Sequence, residues 1–424
     1  MDKVIIVGTG VFGLSTADHL HQKWPTTRLS IVSRPSPLAP SDDISKIVRV
    51  DYNNVERMTE AVEAQKQWNS DRFSRYQRSI GRVVIYEQDD VASVQKINEA
   101  REELGLQSRA LGGSTLMWDK FGTTTAPEPL TYVSAGDDSI VDWEPCISDA
   151  RERAKNACTK SGGTFYESGV ASLVNDGTRV TSLILENGKK IEAGSAQIVL
   201  AVGPWFTQLL AASDIALPPD GRTPVATGLF SYGVQMSEEQ TEFFRDRPMI
   251  SHHGQGDFLP PAHGCVGKIT WVEPFTNLHG STLSRVEDLS NSALAKYHMH
   301  KTIEWAREFL PALQGAYIAS VRSYWDGVTP TQDPLIARHP QFPNLTCVVG
   351  GSYNRAKDLP TIGSTVVDVL SGRPVPDRYS WEPKREYSHR DQPHLVAGGD
   401  FADMEKEAQE KLASIVNHSS LGVI

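Results

Sequence analysis

The chain has no apolar run long enough to span a bilayer and no excess of basic residues. The first absence argues against a membrane-spanning helix. The second, a net charge of −10, argues against nucleic acid and anionic membrane as general partners. A local basic pocket for a small acidic substrate stays compatible with an acidic surface. Cysteine is scarce as well. Cys146, Cys158, Cys265 and Cys347 lie far apart, with no CxxC spacing and no histidine at metal-ligand spacing. They read as buried or free thiols of a reducing compartment, and no metal site is expected. No Ser-His-Asp order, P-loop or zinc motif is present. An apolar run starts at residue 3, leaving no room for a signal or transit peptide, and the chain does not end in a Ser-Lys-Leu type address. A cytoplasmic location is the expectation.

What is present is concentrated at the start. Lys3-Val4-Ile5-Ile6-Val7 is β-branched and apolar, and Gly8-Thr9-Gly10-Val11-Phe12-Gly13 follows it directly. Val11, Leu14, Ala17 and Leu20 then recur at helical spacing. Strand, glycine turn and helix are the context in which G-x-G-x-x-G marks a dinucleotide site. Gly8 allows the tight turn, Gly10 lets backbone approach a pyrophosphate, and Gly13 lets helix and strand pack closely. The helix start, with Val11 and Phe12, faces the phosphates with free N–H groups and a positive dipole end.

The second strand, Leu29-Ser30-Ile31-Val32, ends at Ser33-Arg34 without the acid that grips ribose in NAD enzymes. Ser33 can bond a ribose hydroxyl. Arg34 reads either as a neighbour of adenine or phosphate or as a solvated charge, and from this turn alone an NADP site stays open. The rest of the chain favours a flavin. After a long excursion, a helix over 147–161 leads to strands at 169–174, 179–186 and 189–192, turning at Asn175-Asp176-Gly177 and Asn187-Gly188. A buried-type strand at 196–201 then closes in Val202-Gly203-Pro204-Trp205. A β-meander as crossover suits a flavoprotein better than a nicotinamide dehydrogenase.

Four blocks carry a wider likeness: GTGVFGLSTA at 8–17, SDDISKIVRVDY at 41–52, AVGPW at 201–205, and TPTQDPLI with GGSYNRAKDLPTIG at 329–336 and 350–363. With them the chain, over roughly residues 1–380, resembles the FAD-dependent amine oxidases that include sarcosine oxidase, saccharopine and pipecolate oxidases and the fungal fructosyl amino acid oxidases (amadoriases). The resemblance implies an α/β fold, with an FAD-binding Rossmann-like domain of the D-amino acid oxidase/glutathione reductase type and its β-meander crossover. An α+β substrate domain with an antiparallel sheet would complete it. FAD would contact the 8–13 turn, Ser33, Arg34, Ser45, Lys46, Val170, Ala201, Gly203, Trp205, Asp326, Gly351 and Lys357.

It further implies roles for individual residues. Arg49 would grip the substrate carboxylate bidentately, unless it is spent on Asp42, Asp43 or Asp51. Lys357 would contact the same carboxylate or the flavin edge. Ala356 and Asp358 depart from the pattern around it, and Asp358 is placed to pair with it. Pro360 sits where a helix to about Leu370 would begin, aiming its N-terminus at the flavin pyrimidine ring. Lys268 would lie over the reactive face of the flavin, stabilising developing superoxide; its alternative is a strand lysine in solvent. Tyr324 stands where many members carry the cysteine that tethers FAD, so noncovalent FAD is expected, with Tyr324 in the substrate site. His252, His253, Tyr232, Phe258 and Trp271 are weaker candidates for the pocket wall.

Residues 1–84, 138–220 and 318–380 are assigned to the FAD domain and 85–137 with 221–317 to the substrate domain. The strands of the latter are expected at 225–236, 249–253 and 266–272 and its helix at 293–310. The tail, 381–424, carries Phe401, Met404, Ala408, Leu412 and Ile415 at helical spacing, suiting a helix packed on the body of a monomer or weak homodimer. The implied reaction is oxidation of a C–N bond in a small amine, amino acid or N-substituted amino acid, with O2 reduced to H2O2. A dehydrogenase using an electron carrier, a flavin-binding protein without turnover and a NAD(P) dehydrogenase are the alternatives. The fungal character of the likeness leaves specialised metabolism, deglycation and lysine catabolism all open.

Overall fold

The computed structural model describes residues 1–87, 91–123, 127, 130–384, 387, 395–396, 398–415 and 422–424. Strand Lys3–Val7 lies inside a six-stranded sheet in the order 335–338, 345–349, 197–200, 3–7, 28–33, 165–167. All neighbours run parallel except the edge strand Leu335–Arg338. Val4, Ile5 and Ile6 are wholly buried because both faces of the sheet are covered, which explains the unbroken apolar run. Val4 and Ile6 pack under helices Val11–Lys23, Trp143–Lys160 and Ile362–Leu370. Ile5 and Val7 face the other way, toward the meander Val170–Asn175, Val180–Leu185 and Lys190–Glu192 and helix Phe206–Ala211. The meander turns where its Asn-Asp-Gly and Asn-Gly signals fall.

Two expectations shift here. The helix expected from 147 begins at Trp143, whose indole donates to the Ser41 carbonyl oxygen at 2.9 Å. The helix expected from Pro360 begins at Ile362, and Pro360 instead presents its carbonyl oxygen to His19 at 2.9 Å. The start of that helix packs on Val11–Lys23, where Gly363 N donates to Ser15 Oγ at 2.8 Å.

The larger sheet has nine strands, running 317–328, 225–235, 266–276, 256–259, 249–252, 82–86, 131–135, 111–112, with 399–400 beside 266–276. It is mixed rather than antiparallel: Met249–His252 pairs in parallel with Arg82–Tyr86, and Val266–Thr276 with Gly399–Asp400. Segments distant in sequence enter at these two places, and no hairpin constrains their direction. A division drawn at 84/85 and 317/318 cuts through strands 82–86 and 317–328. One face of this sheet packs on helix Ala293–Phe309 through Val83, Ile85, Phe258, Ile269 and Phe230. The other face is the wall of the site.

The tail helix forms over Phe401–Ile415 and packs on helix 293–309. Its Glu405 accepts the Ala293 and Leu294 N–H groups at 2.9 and 2.7 Å, satisfying the start of that helix with a carboxylate. Among the described residues no helix is long and apolar enough to cross a membrane.

Candidate active site

A cavity of about 380 Å³ opens between the C-terminal ends of the central strands of the first sheet and the free face of the second. Gly8, at φ 104°, stands where a Cβ would meet the Ala201 carbonyl oxygen at 2.2 Å. At Gly13 a Cβ would meet the Gly8 oxygen at 2.0 Å, so it serves packing and does not line the cavity. Gly10 does line it, and there a Cβ would meet only the Ser41 side chain, with Oγ at 3.1 Å. Val11 and Phe12 also face the cavity, and Val11 N donates to that same Ser41 Oγ. Thr9 and Ser33 join hydroxyls at 2.5 Å, tying the glycine turn to the second strand. Arg34 lies on the rim in a largely solvated pair with Glu186 at 3.0 Å. Val170, Ala201, Gly203 and Trp205 complete this end.

The sheet side follows strand parity. Ser251 pairs with Val84 and Asp257, Asp257 with Thr270, and Leu259 with Lys268. Residues opposite one another share a face, and alternate residues repeat it. Arg82, Val84, Tyr86, Ser251, Asp257, Leu259, Lys268, Thr270 and Val272 therefore all line the cavity. Tyr232, Phe258 and Trp271 have the opposite parity and do not; the Tyr232 hydroxyl donates into the core, to Ala295 O at 2.8 Å. His252 and His253 both border the cavity, but His252 is held by Trp305 and Glu87.

Lys268 is not in solvent. Its ammonium donates to Asp43 Oδ2 at 2.7 Å and to the Ser45 carbonyl oxygen at 2.6 Å. Asp43 also holds Lys46 at 2.6 Å and Arg322 at 3.5 Å, so it gathers three cations and is not the partner of Arg49. Burial acts to raise the Asp43 carboxyl, but Lys268, Lys46 and Arg322 together hold it well below the usual carboxylate range. Burial brings Lys268 down to about 8, with Asp43 opposing. Ser45 itself does not line the cavity.

Arg49 and Lys357 come from segments some three hundred residues apart and meet on one ring. The Arg49 guanidinium carbon is 4.2 Å and the Lys357 ammonium 4.8 Å from the centroid of Tyr52, a residue the sequence reading gave no role. Arg49 reaches Asp51 only at its main-chain oxygen, 3.4 Å away. The Asp51 carboxylate is taken by Arg101 and Arg109. Lys357 pairs with Asp358 at 3.1 Å, as its neighbour suggested, and donates to Asn354 O at 3.0 Å. Trp68 pins its carbonyl oxygen, and Arg355, bonded to Glu60 and Asp358, anchors the loop. Ser352 and Tyr353 take left-handed φ values of 47° and 58° in that loop, backbone strain of the kind found where surroundings over-determine a site.

Asp326 accepts the N–H groups of Gly327 and Tyr353, both at 2.8 Å, yet burial raises it to about 6. Gly351 lies against it: a Cβ there would fall 2.7 Å from Asp326 Oδ2. Tyr324 is edge-on to Tyr353, 5.7 Å between centroids, and no cysteine lines the cavity. Burial pushes the Cys146 and Cys158 thiols up to about 12, so these two are inert as nucleophiles. Leu395 reaches the cavity from the tail, where sequence placed nothing functional. Among the described residues none of helix 362–370 lines it.

A family model for FAD-dependent oxidoreductases, the DAO family, matches residues 3–369. The chain belongs to that family. It is an FAD-dependent oxidoreductase. It is 25% identical to an L-saccharopine oxidase of Schizosaccharomyces pombe over 402 residues, spanning 87% of this chain and 90% of that one. An amino acid oxidase of Aspergillus flavus is 24% identical over 463 residues, 87% and 92% of the two chains. Among solved structures, the fructosamine oxidase amadoriase II of Aspergillus fumigatus superposes with a TM-score of 0.77 at 20% identity, over 95% of this chain and 96% of its own. At that identity the likeness speaks for the fold.

The cavity fits FAD on its own terms. Gly10 leaves backbone open at the phosphate position, and the helix start faces it. Buried Asn354 Oδ1, on the cavity wall, lacks a partner among the described residues, as a polar atom awaiting a ligand would. Gly10→Ala should leave the fold intact but crowd the pyrophosphate. Overpacking costs about 1–3 kcal/mol, roughly a ten- to hundred-fold rise in the FAD Kd, checked by titrating apoprotein with FAD.

Proposed function

We propose that this oxidoreductase oxidises the C–N bond of an amino acid or N-substituted amino acid to an imine, with dioxygen reduced to hydrogen peroxide. The observation that carries the reading is the convergence of Arg49 and Lys357 on Tyr52, in the same cavity as Lys268. Two cations beside one ring and lining one cavity suit a carboxylate, and holding it orients the adjacent carbon and nitrogen. The saccharopine oxidase and amino acid oxidase relatives point to the same substrate class. Bound FAD supplies the two-electron acceptor, so no protein acid–base pair has to carry the redox step. The substrate loses two electrons and two protons from its C–N unit, and dioxygen takes up both. Lys268, buried and cationic below its depressed pKa of about 8, is suited to stabilise negative charge developing on oxygen. With no cysteine on the cavity wall and Tyr324 at the tether position, FAD is held noncovalently.

The test is anaerobic titration of holoenzyme with a panel of primary and N-alkylated amino acids, each beside its carboxamide. Bleaching of the flavin absorbance by the acids and not the amides is expected. A panel in which no amine bleaches the flavin would sink the reading. Flavin that stays with the acid-precipitated protein would separately overturn noncovalent binding.

A further inference from the structure

Among the described residues the cavity wall carries four acidic side chains, Asp51, Glu186, Asp257 and Asp326. Three are accounted for. Asp51 is clamped by Arg101 and Arg109, Glu186 pairs with Arg34, and Asp326 accepts two backbone N–H groups. Asp257 differs: no hydrogen bond or ion pair joins its side chain to any described residue. It sits mid-strand in Gly256–Leu259, facing the cavity between the hydroxyl residues Ser251 and Thr270 to which it is directly opposed.

Of the cations nearby, Arg82 feels the Asp257 charge but forms no ion pair with it. Arg82 is committed to Asp138 at 2.7 Å and to Ser251 at 3.2 Å. Lys268 is committed to Asp43. Lys268 lies diagonally across the sheet from Asp257, and such neighbours have Cα atoms about 7–8 Å apart. Both side chains face the same cavity. A half-buried carboxylate with two flanking hydroxyls and no internal partner is a receptor for a cation or for a strong hydrogen-bond donor.

We infer that Asp257 reads the substrate's side chain by binding a positively charged group, an ammonium or guanidinium, several bonds beyond the oxidised carbon. This rests on the amine oxidation proposed above and narrows its substrate class to basic amino acids and their N-substituted derivatives. Arg49 and Lys357 would hold the carboxylate at one end of the substrate and Asp257 the cation at the other. A single long molecule would then be fixed at both ends across the flavin site.

The experiment uses full-length holoenzyme, wild type and Asp257→Asn, and three substrates: Nα-methyl-L-lysine, its isostere with a methyl in place of the ammonium, and Nα-methyl-L-2-aminoadipate. For the wild type, kcat/KM with the lysine derivative should exceed that of the isostere by about ten- to hundred-fold, the range of a hydrogen-bonded charge. The aminoadipate should be the poorest. In Asp257→Asn, which keeps shape and fold, the preference should collapse through loss on the cation alone. Wild-type enzyme without a cationic preference, or a preference that survives in Asp257→Asn, overturns the inference while oxidation of the other amines leaves the reaction standing. No flavin reduction by any of the three, nor by the wider panel, removes the reaction and the inference together.

Discussion

Replacing Lys268 with methionine should slow reoxidation of the reduced enzyme by dioxygen by about 10²–10³-fold, the range seen when one preorganised charge-stabilising donor is removed. Anaerobic reduction by amine should change little, because the ammonium acts on oxygen and not on the carboxylate anchors. The fold should survive. Asp43 would keep Lys46 at 2.6 Å and Arg322 at 3.5 Å, so the substitution does not strand a buried carboxylate. The pH dependence has a definite sign. Lys268 carries its charge below its pKa of about 8, which burial has lowered, so the oxygen reaction should be fast below that value and decline as pH rises through it. Stopped-flow mixing of reduced enzyme with oxygen, wild type against Lys268→Met across pH, measures both. A variant that reacts with oxygen as fast as wild type would move the reading toward a dehydrogenase that hands electrons to a carrier.

Arg49→Met should lower kcat/KM for the amino acid substrate by about 10²–10³-fold, as expected when one partner of a desolvated charge pair is removed. Both KM and kcat should suffer, because the guanidinium binds the substrate and also sets where its reacting carbon lies. Lys357→Met should do less harm. Asp358, 3.1 Å from the Lys357 ammonium, already takes up much of its charge. The order of the two variants is therefore diagnostic. FAD content and thermal stability should match wild type in both, since Trp68 and Arg355 hold the 352–358 loop independently of either cation. If Lys357→Met proves the more damaging, Arg49 is not the principal anchor.

The substrate wall was the least legible part of the site. Asp257, Thr270 and Arg82 belong to strands 256–259, 266–276 and 82–86, where they share a face with the apolar Leu259, Val272 and Val84. Nothing local says whether that face meets solvent or a cofactor. Tyr52 was similarly silent: its role appears only when residues 49 and 357 arrive on its ring. Asp43 lies close enough in sequence to pair with Arg49, yet the fold gives it to Lys268, Lys46 and Arg322. The mixed sheet escaped for a related reason, since the parallel partner of strand 249–252 lies more than a hundred and sixty residues earlier in the chain.

What the chain determined by itself is local. The apolar 3–7 run, the spaced glycines at 8, 10 and 13, and the Asn-Gly turns of the meander act over a few residues through sterics and backbone hydrogen bonding. That is why the dinucleotide turn and most strand limits could be read directly. The tertiary structure decided which charges neutralise one another and which remain available. Ion pairing and burial depend on distances between groups far apart in sequence, and only packing the two sheets against each other leaves Lys268 buried, Arg49 on Tyr52 and Asp257 without an ion pair among the described residues.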